Sequence, residues 1–487
     1  MSEPAIIIEN GVVVTCDAHR SAGPMAILVR NGRIGEIAQR GETLRGRYPF
    51  AEVIDASSRV IVPGFVDAHF HGESFVLRHW TTGVPYGDWT RHPKTKQILS
   101  HVQRELSAER LGIFYRLAYF AALRAGITFI NEYGINNLDL PFLAALEGFR
   151  RSDVQGMISV HNGDQYDRAR SATGTDVRFV IALPNEEDLT TYNMQTALRT
   201  ARELKWSLAV HAGEARHGLD VFQRNFQNSL VQVLKDYHFL DNRIQLIHFS
   251  HVDEGEAGLL RGTGASVICS PLAAMAKQSI VPPLGVLLAN DVPVALGSDW
   301  GAPDPFSTMR SMLSLARTQG VRTLGAFDLI AMHTINAARA IGLESDRGSL
   351  EVGKRADLAF VDVSDFRLSY MDNPLVLEDM LLSLLLDAGS SSVTDVMVGG
   401  EFFLRGGHIM TYAEEDLRRE GAELMRSLAR AAAEPIAGGA APVYPLSPVP
   451  SNEAESEPSH DNIDKGFRVV RRRDEPSQTP DPKPVHR

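Results

Sequence analysis

The chain has 487 residues, 44% hydrophobic and 22% charged, with a formal net charge of -11. That length suits one large domain plus a smaller one, and the acidic balance argues against a nucleic-acid partner held on a broad basic surface. Two cysteines, Cys16 and Cys269, cannot supply a disulfide framework or a thiolate zinc site. The start lacks a signal-peptide pattern, and no apolar run reaches 18 residues, so a cytoplasmic protein with no membrane partner is expected.

From Ala5 to about Val62, short β runs alternate with turns. AIIIENGVVVTCD and MAILVRNGRIGEIAQ each contain Asn-Gly, a hairpin signal, and together they predict a small antiparallel unit over residues 1–62. The apolar run VIVPGFVDAHFHGE, Val60 to Glu73, then reads as a buried strand ending in His69-Phe70-His71. Side chains two apart on a strand share a face, so both imidazoles leave its end on one side, as two ligands of one metal ion must.

Strand-length and helix-length segments alternate after this point. Strands are predicted at Ile127–Tyr133, Gln155–His161, Val177–Leu183, Ser207–Glu214, Arg243–His251, Ala265–Ser270 and Pro293–Asp299. With the strand before His69 they number eight, which predicts a (β/α)8 barrel, an α/β TIM barrel, over residues 63–345. LSAERLGIFYRLAYFAALRAG, NMQTALRTARELK and FDLIAMHTINAARAIGL have helical spacing. The connection Trp80 to Ser107 is long and aromatic; Trp80, Tyr86 and Trp89 either line a pocket over the barrel mouth or pack the loop down. β texture returns in GSLEVGKRADLAFVDV and VTDVMVGGEFFLRGG, so residues 346–412 are expected to join residues 1–62 in a composite β-sandwich domain. A helix is expected at 413–435. Residues 436–487, rich in Pro, Ser and charge, read as a disordered tail.

Four later positions carry chemistry. SLAVHAGE ends in His211 with Glu214 three residues on, RIQLIHFSH carries His248, and VALGSDWG carries Asp299. Each follows an apolar run and so emerges at the C-terminal mouth of the barrel, where active sites of this fold lie. A lone strand-end His is commonly structural and a Gly-Ser-Asp turn commonly caps a helix. Occurrence together, at the first, fifth, sixth and eighth strands, points to a metal site.

In PGFVDAHFH, HAGE, LIHFSH, LGSDW and GSLEVGKRADLAFVDV, from about residue 5 to 412, the chain resembles the amidohydrolase superfamily. Within it, the resemblance is to the mononuclear branch of cytosine, guanine and S-adenosylhomocysteine deaminases and triazine hydrolases. It implies that His69, His71, His211 and Asp299 bind one divalent ion, zinc or alternatively iron, with His248 beside it and Glu214 shuttling protons. That division suits the chemistry: three imidazoles and a carboxylate leave an open position for water, Asp299 accepts the water's proton, Glu214 protonates a ring nitrogen, and His248 hydrogen-bonds the attacking oxygen. Dinuclear relatives use a carboxylated Lys at the fourth strand end. DVRFVIALPNEED has none, so one metal is expected.

The implied activity is hydrolysis of a C–N bond in a small molecule, foremost deamination of a purine, pyrimidine, pterin or triazine. The alternatives are loss of chloride or alkylamine from a triazine or of an aryl amine from a urea, and a catalytically dead scaffold. His161, Asp164 and Asp304 are candidate substrate contacts against a reading as solvated loop residues. Trp300, bulky beside Asp299, narrows the pocket. His333 and Cys269 read as structural, and a homo-oligomer is expected from the resemblance.

Overall fold

The structure, a computed structural model, describes residues 5–81, 92–134, 139–152, 154–171, 177–277, 279–364, 377–410, 412 and 414–433. Tyr86, Trp89 and segment 436–487 lie outside the described residues, as does the side chain of Trp80. Among the described residues, no helix is long and apolar enough to cross a membrane.

The strands are β1 Ala5–Val14, β2 Ala22–Arg30, β3 Arg33–Ala38, β4 Glu52–Asp55, β5 Arg59–Pro63, β6 Phe65–Phe70, β7 Ile127–Glu132, β8 Gln155–Val160, β9 Arg178–Ala182, β10 Leu208–Ala212, β11 Ile244–His248, β12 Ser266–Cys269, β13 Val294–Leu296, β14 Leu358–Asp362, β15 Val393–Val398, β16 Glu401–Arg405 and β17 His408–Ile409. β6 to β13 pair in sequence order, all parallel, with helices between them. The ring closes where Phe70 bridges Asp299 and Asp299 N–H donates to the His69 carbonyl at 2.8 Å. This is the predicted (β/α)8 barrel.

Barrel strands are apolar on both faces because both are covered. Val66, Ala68, Phe129, Val180, Ala209 and Ile268 fill the interior, and Ala337, Ala338 and Ile341 pack into the same cluster. Phe65, Ile130 and Leu246 pack with the surrounding helices. Cys269 is buried in β12, as expected. The helix Ala108–Arg124 begins at Ser107, whose side chain accepts from Arg110 N–H, and the chain turns out at Gly126 with φ +89°.

Three details depart from the sequence reading. The segment 327–343 forms two helices, Ala326–Met332 and Ile335–Ala340. The break is stitched to β6: His333 Nδ1–H donates to the Val66 carbonyl at 3.1 Å, and Val66 N–H donates to the His333 carbonyl at 2.9 Å. His333 is therefore structural, at a helix end and not within one. Asn10-Gly11 is a bulge inside the continuous strand β1, with Asn10 at φ +67°, whereas Asn31-Gly32 makes the β2–β3 hairpin. The bulge lets one edge of β1 pair in parallel first with β4 and then with β5. The N-terminal unit is consequently mixed, not antiparallel.

β14 pairs antiparallel with β5, so both chain ends share one nine-stranded sheet, ordered β17-β16-β15-β14-β5-β1-β2-β3 with β4 beside β1. The sheet curls until its turns meet: Ala356 N–H donates to the Gly32 carbonyl at 2.9 Å and Gly400 N–H to the Ala356 carbonyl at 3.0 Å. Ile8, Ile27, Ile61, Phe360 and Met397 form the core inside the curl.

Candidate metal centre

The predicted strand β13 stops at Leu296, three residues before Asp299. Gly297 follows it. A Cβ there would lie 2.7 Å from His69 N, so only glycine lets the chain pass this close to β6. Asp67, fully buried, ties the two ends together. Its Oδ1 accepts from Ser298 N–H at 3.0 Å and His69 N–H at 3.3 Å, and its Oδ2 accepts from the Ser298 hydroxyl. Burial pushes the Asp67 carboxyl up to about 7, against the pull of those hydrogen bonds. His248, Phe249 and Asp299 hold φ of +70°, +50° and +50°. Such left-handed backbone is costly for non-glycine residues and concentrates at functional sites.

These strand ends bring the predicted side chains together. The His69 ring lies 4.9 Å from that of His71, 5.3 Å from His211 and 5.6 Å from His248, centroid to centroid. Asp299 Oδ1 is 3.8 Å from His69 Nε2 and 3.6 Å from His71 Nε2. Two overlapping sets, His69/His71/His211 and His69/His248/Asp299, place their donor atoms within 4.8 Å of one another. His71 Nδ1 donates to Glu73 Oε1 at 2.9 Å and His211 Nδ1 to Asn185 Oδ1 at 3.1 Å, which leaves each Nε2 as a lone-pair donor.

The donor set fits a divalent cation. His69 Nε2, His211 Nε2 and Asp299 Oδ1 are buried, converge, and have no hydrogen-bond partner among the described residues. Orphaned buried polar atoms are costly unless something coordinates them. Burial, then the neighbouring imidazoles, hold His69 and His211 well below the usual histidine range, so both are neutral donors at pH 7. Burial opposes ionisation of Asp299, yet Lys277 and the imidazoles bring it down to about 2. Neutral imidazoles and a carboxylate are the protonation states a cation needs.

Glu214 sits beside this cluster, its Oε2 lying 3.4 Å from Nε2 of His248, a member of the second set. Trp300 lies 5.7 Å from the His71 ring, tilted by 34°, as a wall of the site. His161 stands one layer back: its Nε2–H donates to the Tyr133 carbonyl at 2.9 Å, and burial holds it down to about 4. Tyr133 lies between, stacked on His211 at 4.4 Å. Asp304 has a structural task. Its carboxylate accepts from Phe306 N–H at 3.1 Å and from the Ser307 hydroxyl at 2.7 Å, so it caps the helix Pro305–Thr318. Asp164 is exposed on the helix Gly163–Ser171.

Several supporting residues escaped the sequence reading. Glu73 holds His71 and accepts from Tyr115 O–H at 3.0 Å; Glu132 accepts from Gly72 N–H at 3.0 Å and Tyr119 O–H at 3.2 Å. Burial, then the charge of Glu73, raises Glu132 well above the carboxylate range. Lys277 follows β12 and brings Nζ to 2.9 Å from Asp299 Oδ2 and 3.6 Å from Glu214 Oε1. Burial opposes its charge, but these carboxylates hold its pKa above the ordinary lysine value. Only the HFHGE string, with Glu73 two residues after His71, carried a readable signal.

Comparison with known proteins supplies a family and a shared fold. A 5-methylthioadenosine/S-adenosylhomocysteine deaminase of Pyrococcus furiosus is 25% identical over 431 residues, covering 85% of this chain and 98% of its own. An adenosine deaminase from Xanthomonas campestris, solved with bound zinc, superposes with a TM-score of 0.77 at 22% identity, covering 88% of this chain and all of that one. An atrazine chlorohydrolase from Arthrobacter aurescens, complexed with zinc, gives 0.75 at 15% identity over 86% of this chain and all of that one. At such identities the two structures show a shared fold. Residues 60–403, well over half of the chain, match the model of the amidohydrolase family, and the chain belongs to that family.

Proposed function

We propose that the protein is a metal-dependent aminohydrolase that replaces the amino group of a heterocycle with oxygen and releases ammonia. Supporting it are the mutual approach of the His69, His71 and His211 donor atoms within 4.8 Å, the 3.8 and 3.6 Å from Asp299 Oδ1 to His69 and His71 Nε2, and Glu214 paired with His248 at 3.4 Å. His69, His71, His211 and Asp299 would hold the cation, taken here as zinc. A bound divalent cation makes water a usable nucleophile at neutral pH.

The chain's own residues do the rest. Asp299 accepts the proton that the attacking water loses. Glu214 gives a proton to the ring nitrogen next to the amino-bearing carbon, making that carbon electrophilic. His248 hydrogen-bonds the oxygen as the tetrahedral centre develops. The C–O bond forms, the proton on Asp299 passes to the amine, the hydroxyl proton of the tetrahedral centre returns to Glu214 as the C–N bond breaks, and a keto heterocycle and ammonia result. Tyr133 and Trp300 wall the site. The reading takes the enzyme as cytoplasmic and its partner as a small molecule.

A panel of zinc-loaded protein against aminopurine nucleosides, headed by 5-methylthioadenosine and S-adenosylhomocysteine, then free aminopurines, aminopyrimidines, pterins and triazines, tests the proposal. Ammonia release from at least one aminoheterocycle is expected. Release of chloride or alkylamine from triazines without ammonia from any member would replace deamination by the other leaving-group chemistry.

A further inference from the structure

Each of the two carboxylates at the site is divided between two tasks. Asp299 turns Oδ1 toward His69 and His71 and Oδ2 toward Lys277; Glu214 turns Oε2 toward His248 and Oε1 toward Lys277. One ammonium, its side chain 11% exposed, therefore touches both groups that handle protons in the proposed reaction. It is carried on the end of the helix Pro271–Ala276, where Lys277 N–H donates to the Ala273 carbonyl at 2.9 Å. Unlike His69, His71, His211, Glu214, His248 and Asp299, it belongs to none of the strand-end motifs.

We propose that Lys277 is a positioning residue: its ammonium clamps Asp299 Oδ2 and Glu214 Oε1, so that Asp299 offers a single oxygen to the cation and Glu214 stays beside His248. Without the clamp the Asp299 carboxylate rotates to offer both oxygens, and the two carboxylates, no longer screened from each other, move apart. An ammonium on a flexible stem suits this task because it donates in several directions at once.

The activity readout rests on the proposed deamination; the metal readout does not. Lys277→Met should fold, lose roughly 10²-fold in kcat with little change in KM, as expected when a reacting group is displaced by about 1 Å. It should also retain zinc about 10–100-fold less tightly against a chromogenic chelator, the scale for losing a partner of a metal ligand. Should methionine between two carboxylates prevent folding, Lys277→Gln, which keeps an N–H donor without the charge, carries the same measurement.

Chemical rescue separates positioning from bulk structure. Cys16 and Cys269 are each 1% exposed, so 2-bromoethylamine acts selectively on a Lys277→Cys variant and rebuilds an ammonium at lysine length. Recovery of most of the lost kcat and zinc retention is expected. Lys277→Met with the kcat and zinc retention of the unaltered enzyme, or an aminoethylated Lys277→Cys no better than its untreated form, would overturn the proposal. An unaltered enzyme inactive across the substrate panel would instead remove the deaminase reading, and zinc retention would still decide the role of Lys277.

Discussion

Asp299→Asn should leave the protein folded but with well under one equivalent of tightly held metal, and should lower turnover by roughly 10³-fold or more, since it removes a ligand and a proton acceptor worth about 10²–10⁴ at once. The reasons are local. Asp299 Oδ1 is the oxygen that faces His69 and His71 at 3.8 and 3.6 Å, and it is buried without a hydrogen-bond partner among the described residues. Asparagine keeps the shape and a carbonyl oxygen but not the charge. Three imidazoles then face a cation with no anion to offset it, and no group remains to take the proton from water. The backbone link from residue 299 N–H to the His69 carbonyl does not depend on the side chain, so the barrel should still close. Metal content by elemental analysis and kcat on the substrate found in the panel check both halves. A variant that kept metal and turnover would show that Oδ1 faces nothing of consequence.

Glu214→Gln should divide the same two quantities. Metal retention should stay near that of the unaltered enzyme, because Glu214 belongs to neither of the donor sets that converge. Turnover should fall at least about 10²-fold, the usual scale for a general acid–base group. Glutamine is isosteric and still accepts from Lys277, but it cannot deliver a proton to a ring nitrogen. KM should change little, since the lost contact matters most as the nitrogen becomes basic in the transition state. Near-normal turnover in this variant would remove Glu214 from the mechanism and leave His248 as the proton carrier.

The sequence reading reached the barrel and the residues that converge in it for one physical reason. Each of His69, His211, His248 and Asp299 terminates an apolar run, and in a parallel barrel every run ends at the same rim. Local pattern thus stands in for distance in space. It stops doing so wherever a contact is made by a residue outside those runs. Lys277 sits on a helix end after β12, and nothing in its neighbours signals that its stem reaches two carboxylates. Asn185 and Tyr133 likewise act through side chains set by tertiary packing.

Ambiguity of local signals accounts for the corrections. Asn-Gly permits positive φ in a hairpin and in a bulge alike, and at Asn10 the pairing of β1 with β4 and β5 decides for the bulge. Asp304 reads as a loop acid near a site, but the next residue, Pro305, marks the first turn of a helix, and the carboxylate caps it. The helix expected through His333 has unbroken apolar spacing; a hydrogen bond to a strand 267 positions earlier in the chain breaks it. That contact has no local signature.

The central claim is that three imidazoles and one carboxylate, scattered over 230 positions of the chain from His69 to Asp299, grip a single cation. Elemental analysis of the purified protein after exhaustive dialysis against metal-free buffer tests it most directly. The account predicts about one divalent cation per chain, zinc above all, as a site of this donor set holds. Protein that kept none, while remaining folded, would contradict it.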